Sequence, residues 1–134
     1  MIRHFTYIML GMLLTICARN LNAQITTTKT SNGPWSNASK WDNGVPSSID
    51  DAIINTGNTN ANSNGECNDL DIKAGSSLNV GATLTVNGKL NIESGVIFQI
   101  NGSLVVKDSV SLNTATVMEI GGGVTFYSPF DIGQ

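Results

Sequence analysis

From Leu70 onward the chain is written in apolar pairs with one residue between the members. The pairs fall at Leu70/Ile72, Leu78/Val80, Leu84/Val86, Leu90/Ile92, Phe98/Ile100, Leu104/Val106, Val110/Leu112, Met118/Ile120 and Val124/Phe126. Steps of eight, six and six residues separate Leu70, Leu78, Leu84 and Leu90, and the same three steps then recur, so Leu70 is succeeded by Leu90 and Leu90 by Val110. The pattern therefore has a period of twenty. Alternation of this kind places both apolar side chains of a pair on one face of a short strand. The stretches between pairs, such as Lys73-Ala-Gly-Ser-Ser77 and Asn87-Gly-Lys89, are rich in Gly, Asn and Ser. Those residues permit the backbone conformations that sharp corners need. Helical spacing is missing after Gln24, and β-branched residues and glycine dominate there.

Three strands and three corners per period describe one triangular coil. A three-residue strand cannot bury its face alone, but stacked coils can. Each strand then pairs in parallel with its counterpart one period on, and inward side chains form columns. The expected columns are Leu70–Leu90–Val110, Ile72–Ile92–Leu112, Leu78–Phe98–Met118, Val80–Ile100–Ile120, Leu84–Leu104–Val124 and Val86–Val106–Phe126. The same register sets Asp69 over Lys89 and Lys73 over Glu93, both of opposite sign. Parallel crossovers are overwhelmingly right-handed. The reading is an all-β chain: a short right-handed parallel β-helix (a β-solenoid) of about three regular coils, with an irregular N-terminal cap.

Outside the repeat the assignment is coarser. Residues 1–23 are expected to be an export signal, 24–34 a linker or edge strand, 35–66 the cap and an irregular first coil, and 67–134 the solenoid. Ala52/Ile54 reads as a first coil strand, and the polar run Asn55–Glu66 reads as a loop. Trp35 and Trp41 suit an end cap, because an open row of strands invites aggregation. At the other end, Tyr127 and Phe130 fold over the last coil, or another copy pairs there, or the chain is the front piece of a longer product.

The amino-terminal reading rests on three features. Met1-Ile-Arg-His is a short basic start, Phe5–Ala18 is a largely apolar run, and Leu21-Asn22-Ala23 ends in a small residue. That is the layout of a secretory signal cut between Ala23 and Gln24, which makes the protein secreted or surface-exposed. The run is shorter than the roughly 20 residues a membrane span requires. A retained anchor, or a lipoprotein site at Cys17, fits less well, since Ile16 stands where a small residue is wanted. Removing the signal leaves no transmembrane segment.

The remaining chain holds five lysines against ten acidic residues, a net charge of −5. That balance argues against nucleic acid as a partner. The only histidine, His4, leaves with the signal, and Cys67 is then the single cysteine. An internal disulfide, a zinc-ligand set and a Cys/His or Ser/His nucleophile are therefore excluded. No phosphate loop or dinucleotide fingerprint is present. Cys67 reads as a small buried hydrophobe.

The segment Trp35-Ser-Asn-Ala-Ser-Lys-Trp41-Asp-Asn-Gly44-Val-Pro46, followed by Asp50-Asp51-Ala-Ile-Ile54, resembles a recurring opening of bacterial exported β-helix and surface proteins. Its form is W-x5-W-x2-G-x-P, an acidic pair, then a strand, with Leu-x-Ile/Val repeats behind it. The opening is similar to the eight-glycine domain of cell-surface proteins, and the resemblance spans residues 35–126. It implies an exported protein concerned with adhesion, surface display or polysaccharide handling. Relatives of this type are often large and carry a C-terminal sorting domain for a type IX route. No such domain is visible here, so a truncated member is expected. The resemblance supplies no catalytic residues and no cofactor.

Candidate chemistry is sparse. Trp35 and Trp41 are candidate glycan-stacking residues, weighed against a role sealing the core end. Asp50, Asp51, Asp69 and Asp71 are weighed as calcium ligands against solvated turn acids. A carboxylate dyad needs two acids on one outer face, and the outward columns Asp71–Asn91–Ser111, Asn79–Gln99–Glu119 and Thr85–Val105–Thr125 never hold two. The expectation is a non-catalytic structural or adhesive module. The alternatives are a carbohydrate-binding module, or the N-terminal fragment of a larger polysaccharide-acting surface protein. Cell-surface glycans and a second copy meeting the C-terminal coil are the expected partners.

Overall fold

The computed structural model describes residues 23–128 and 130–132. Residues 1–22, and with them the export-signal reading, lie outside the described residues. The chain folds as an all-β solenoid. Its regular strands are short, three or four residues each, because every second side chain must turn inward before the next corner.

The cap contributes β1 (Thr26–Lys29), β2 (Gly33–Pro34) and a single 3-10 turn, Ala38–Lys40. The first coil is β3 (Asp51–Ile54), β4 (Asn58–Ala61) and β5 (Gly65–Cys67). The second is β6 (Leu70–Ile72), β7 (Ser77–Val80) and β8 (Thr83–Val86). The third is β9 (Leu90–Ile92), β10 (Ile97–Ile100) and β11 (Ser103–Val106). The fourth is β12 (Val110–Leu112), β13 (Val117–Ile120) and β14 (Gly123–Phe126), and β15 (Phe130–Ile132) lies beyond it. Three parallel sheets run along the stack, in the orders β1-β3-β6-β9-β12-β15, β2-β4-β7-β10-β13 and β5-β8-β11-β14.

From the second coil onward, pairing follows the period of the sequence. Leu70 lies beside Leu90, and Leu90 beside Val110. Leu78, Phe98 and Met118 are aligned, as are Leu84, Leu104 and Val124. Inward residues of the second and third coils are wholly buried, and most outward ones are half-exposed. Lys73 Nζ stands 3.0 Å from Glu93 Oε1, as the register predicted. Asp69 behaves differently: its carboxylate accepts the Lys89 backbone N–H at 2.7 Å in place of the side-chain ammonium.

The run Asn55–Glu66 is not a loop. It holds β4 and most of β5, which complete the irregular first coil ahead of three regular ones. This first coil is compressed. Ala52 pairs with Leu70, two places short of the regular offset. Asn58 pairs with Ser77 and Gly65 with Leu84, each one place short. Two of its corners have each lost a residue. Apart from Ile54, its inward places are small or polar, including Thr59, Ala61 and Gly65.

Positive φ recurs at one corner of successive coils. Gly75 has φ 77° and Gly95 φ 75°, and the next coil places Ala115 there with φ 66°.

The two ends differ. At the amino end, β1 pairs onto β3 as an edge strand, and the tryptophan segment covers the interior. At the other end the inward residues Leu112, Met118, Val124 and Phe126 are only partly buried, and Ile120 is 57% exposed. Tyr127, at 70% exposure, does not cover that coil. Phe130 begins β15, which extends the sheet beside β12. Among the described residues, no helix is long and apolar enough to cross a membrane.

Candidate functional site

The cap is the most specialised part of the molecule, and it is built around two indoles. Trp35 is 1% exposed and Trp41 4%. Their rings meet edge to face, with centroids 5.0 Å apart and planes at 72°, the arrangement that aromatic quadrupoles favour. Trp41 Nε1 donates to the Trp35 carbonyl at 2.8 Å. Neither ring offers a face to solvent, so the stacking platform considered for this pair is not formed by the structure. Their large apolar surface closes the core instead.

A third partner was not foreseen. Lys29 sits at an inward place of β1 and is 1% exposed. Its ammonium donates to the carbonyls of Ser31 and Gly33, each at 3.0 Å. It also lies 5.7 Å from the Trp41 ring centroid, within cation–π range. Burial, with a smaller contribution from Lys40, pulls its pKa below the ordinary lysine value. The signal available in the sequence was the Thr-x-Lys alternation of Thr27 and Lys29, which continues the inward pattern with the wrong polarity.

Glycine makes room for this cap. A Cβ at Gly65 would stand 2.8 Å from Trp35 Nε1 and 3.0 Å from Cδ1. Both residues line a cleft of about 400 Å³. One wall of the cleft is the cap, with Trp35, Ser36, Val45 and Pro46. The other is the outer face of the first two coils, with Asn64, Glu66, Thr83 and Thr85. Parallel pairing of β5 with β8 sets Glu66 beside Thr85. Asn64 Oδ1 accepts the Thr83 N–H at 3.2 Å, which leaves its amide group for other partners. The indole N–H of Trp35 is buried with no acceptor. Sequence reasoning missed this cleft, because its residues come together only through the compressed register of the first coil.

The four aspartates weighed as cation ligands are spoken for by protein donors. Asp50 accepts from the Ser47 hydroxyl and amide and from the Ile25 amide, and these bonds hold its carboxyl below the usual range. Asp51 Oδ1 accepts from Gln24, Asn68 and the Asp69 amide. Asp69 is taken up by the Lys89 amide, and Asp71 lies 3.7 Å from Lys73. Among the described residues, no group of three or more His, Cys, Asp or Glu side chains is placed to hold a metal ion. Cys67 is fully buried, and burial pushes its thiol far above the ordinary value, which suits an unreactive core residue.

Searches of known protein families, of curated proteins and of solved structures each returned no match to this chain.

Proposed function

We propose that this chain is a non-catalytic structural and adhesive module of an exported surface protein. The observation that carries the reading is the uninterrupted dry stack, sealed by the tryptophan cap at one end and half-open at the other. Large apolar side chains fill every inward strand place of the second and third coils. Such a stack is stiff, because each coil is locked to both neighbours by backbone pairing and by shared columns. A stiff rod with varied outward side chains suits spacing and display. The amino-terminal signal pattern and the resemblance of residues 35–126 to surface proteins point the same way. The half-exposed apolar fourth coil is where a second copy pairs.

Expression of the full chain in a bacterium with an outer membrane tests this. The expected protein begins at Gln24 by mass spectrometry and is cleaved when protease is added to intact cells. Cytosolic protein that still carries Met1–Ala23 overturns it.

The cleft beside Trp35 favours a second reading, that the module also binds carbohydrate.

A further inference from the structure

We infer that the cleft between the cap and the first two coils is a binding site for a neutral, hydroxyl-rich ligand, a segment of uncharged glycan; this rests on the carbohydrate-binding reading above. Two features point there. The first is chemical balance. Val45 and Pro46 give an aliphatic wall on which a sugar's C–H face can pack. Opposite them, Glu66 supplies a strong acceptor, Asn64 a free amide donor, and Ser36, Thr83 and Thr85 hydroxyls that serve as either. Apolar packing with a few placed polar groups is the usual composition of a small-ligand site. The volume, about 400 Å³, falls in the ordinary range of such sites, roughly 300–1,000 Å³.

The second feature is an unfilled donor. Buried indole N–H groups ordinarily find an acceptor. Trp35 Nε1 has none, although the Trp41 indole is paired in the same cap. Gly65 lies beside that N–H: a Cβ there would stand 2.8 Å from Nε1, so the Trp35 ring already fills the space, and both residues line the cleft.

The charge of the site narrows the ligand. One carboxylate and no Lys or Arg line the cleft. Uronic, sulfated or phosphorylated sugars would face Glu66 without a compensating cation. Neutral hydroxyls gain from it, since hydrogen bonds to a charged acceptor are the stronger kind.

The two tryptophans of the chain make the test direct, because indole N–H groups give separate NMR signals. The full chain is expressed with ¹⁵N label, and the recovered protein is titrated with cello-, xylo-, manno- and chito-tetraose, with oligogalacturonate as the acidic comparison and calcium chloride as a cation control. At least one neutral sugar is expected to move the Trp35 indole signal, leave that of Trp41 nearly in place, and bind more tightly than oligogalacturonate. Thr85→Arg, which fills the cleft from an outward position, is expected to abolish the shift. Glu66→Gln is expected to weaken binding about tenfold, the scale of one charged hydrogen bond. Gln99→Ala, on a different outer face, should bind as the unaltered protein does. Circular dichroism checks that each variant folds.

Silence from every neutral sugar overturns the inference. So does binding that survives Thr85→Arg, or a Trp35 shift produced by calcium alone. The surface-module reading stands or falls separately, on the Gln24 terminus and protease accessibility.

Discussion

Ala115 occupies a corner position that two preceding coils give to glycine. Its φ of 66° lies in the left-handed region, as do Gly75 and Gly95. A Cβ at Gly75 or Gly95 would touch nothing within 4 Å, so the cost at this corner comes from the backbone alone. That cost is roughly 1–2 kcal/mol for an L side chain. Ala115→Gly is therefore expected to stabilise the protein by about 1 kcal/mol, read as a melting temperature higher by about 4–8 °C. A lower one would contradict the corner assignment. Thr59 makes a similar case inside the stack. Its hydroxyl is buried without a partner, so Thr59→Val removes an unpaired polar group at constant shape. The expected gain is on the order of 1 kcal/mol by urea denaturation. Asp50 and Asp42, together with Glu93, contribute to acid stability. The Ser47 hydroxyl chiefly depresses the first, and the Thr28 amide the second, from an ordinary value of 3.8. Around that pH the folded protein binds fewer protons than the unfolded chain does. The aspartate contribution is in place above pH 3.8 and disappears as pH falls through the lower folded values. Asp50→Asn should flatten that acid limb in pH-dependent denaturation curves; an unchanged slope would remove Asp50 from the account.

At the scale of elements, a strand here is defined by which of its side chains are dry. Ile100 is a wholly buried inward residue of β10, whereas Thr85 is an outward residue of β8. Ile100→Asp buries a charge with no partner and is expected to cost more than about 4 kcal/mol, enough to erase the β circular dichroism signal. Thr85→Asp sets a second carboxylate beside Glu66 and should cost no more than about 1 kcal/mol. Equal effects would invalidate the inward and outward assignment. The same contrast explains what could be read in advance. From Leu70 to Phe126 the inward places carry Leu, Ile, Val, Phe or Met, and periodicity alone recovered their pairing. In the first coil Thr59, Ala61 and Gly65 hold those places, and at Gly65 the Trp35 ring occupies volume that a larger side chain would otherwise fill. Two shortened corners then moved the register off the regular period. A pattern of large apolar residues at fixed spacing cannot register such a coil. The cleft was hidden for the same reason, since Glu66 meets Thr85 only through this irregular pairing. Lys29 was hidden because a buried ammonium is rare unless carbonyls and a ring are present to receive it, and those partners belong to no motif.

Across the whole molecule, stability should grade along the axis. Inner coils are covered on both sides, whereas the fourth coil is covered fully on one side only. Backbone amide exchange is expected to be slowest in β7, β8, β10 and β11 and much faster in β13 and β14, where the inward side chains are half-exposed. Uniform protection from β7 to β14 would indicate a fourth coil as stable as the inner ones. The lopsided ends also bear on how such a chain acquires its shape. A polypeptide leaving a ribosome or a translocation pore appears amino end first. The indole lid and the compressed ring beneath it are thus the earliest parts able to assemble. Each later ring finds a finished template below it and nothing yet above. Construction can proceed in one direction, with a single sticky surface at any moment, and that surface always belongs to the newest arrival.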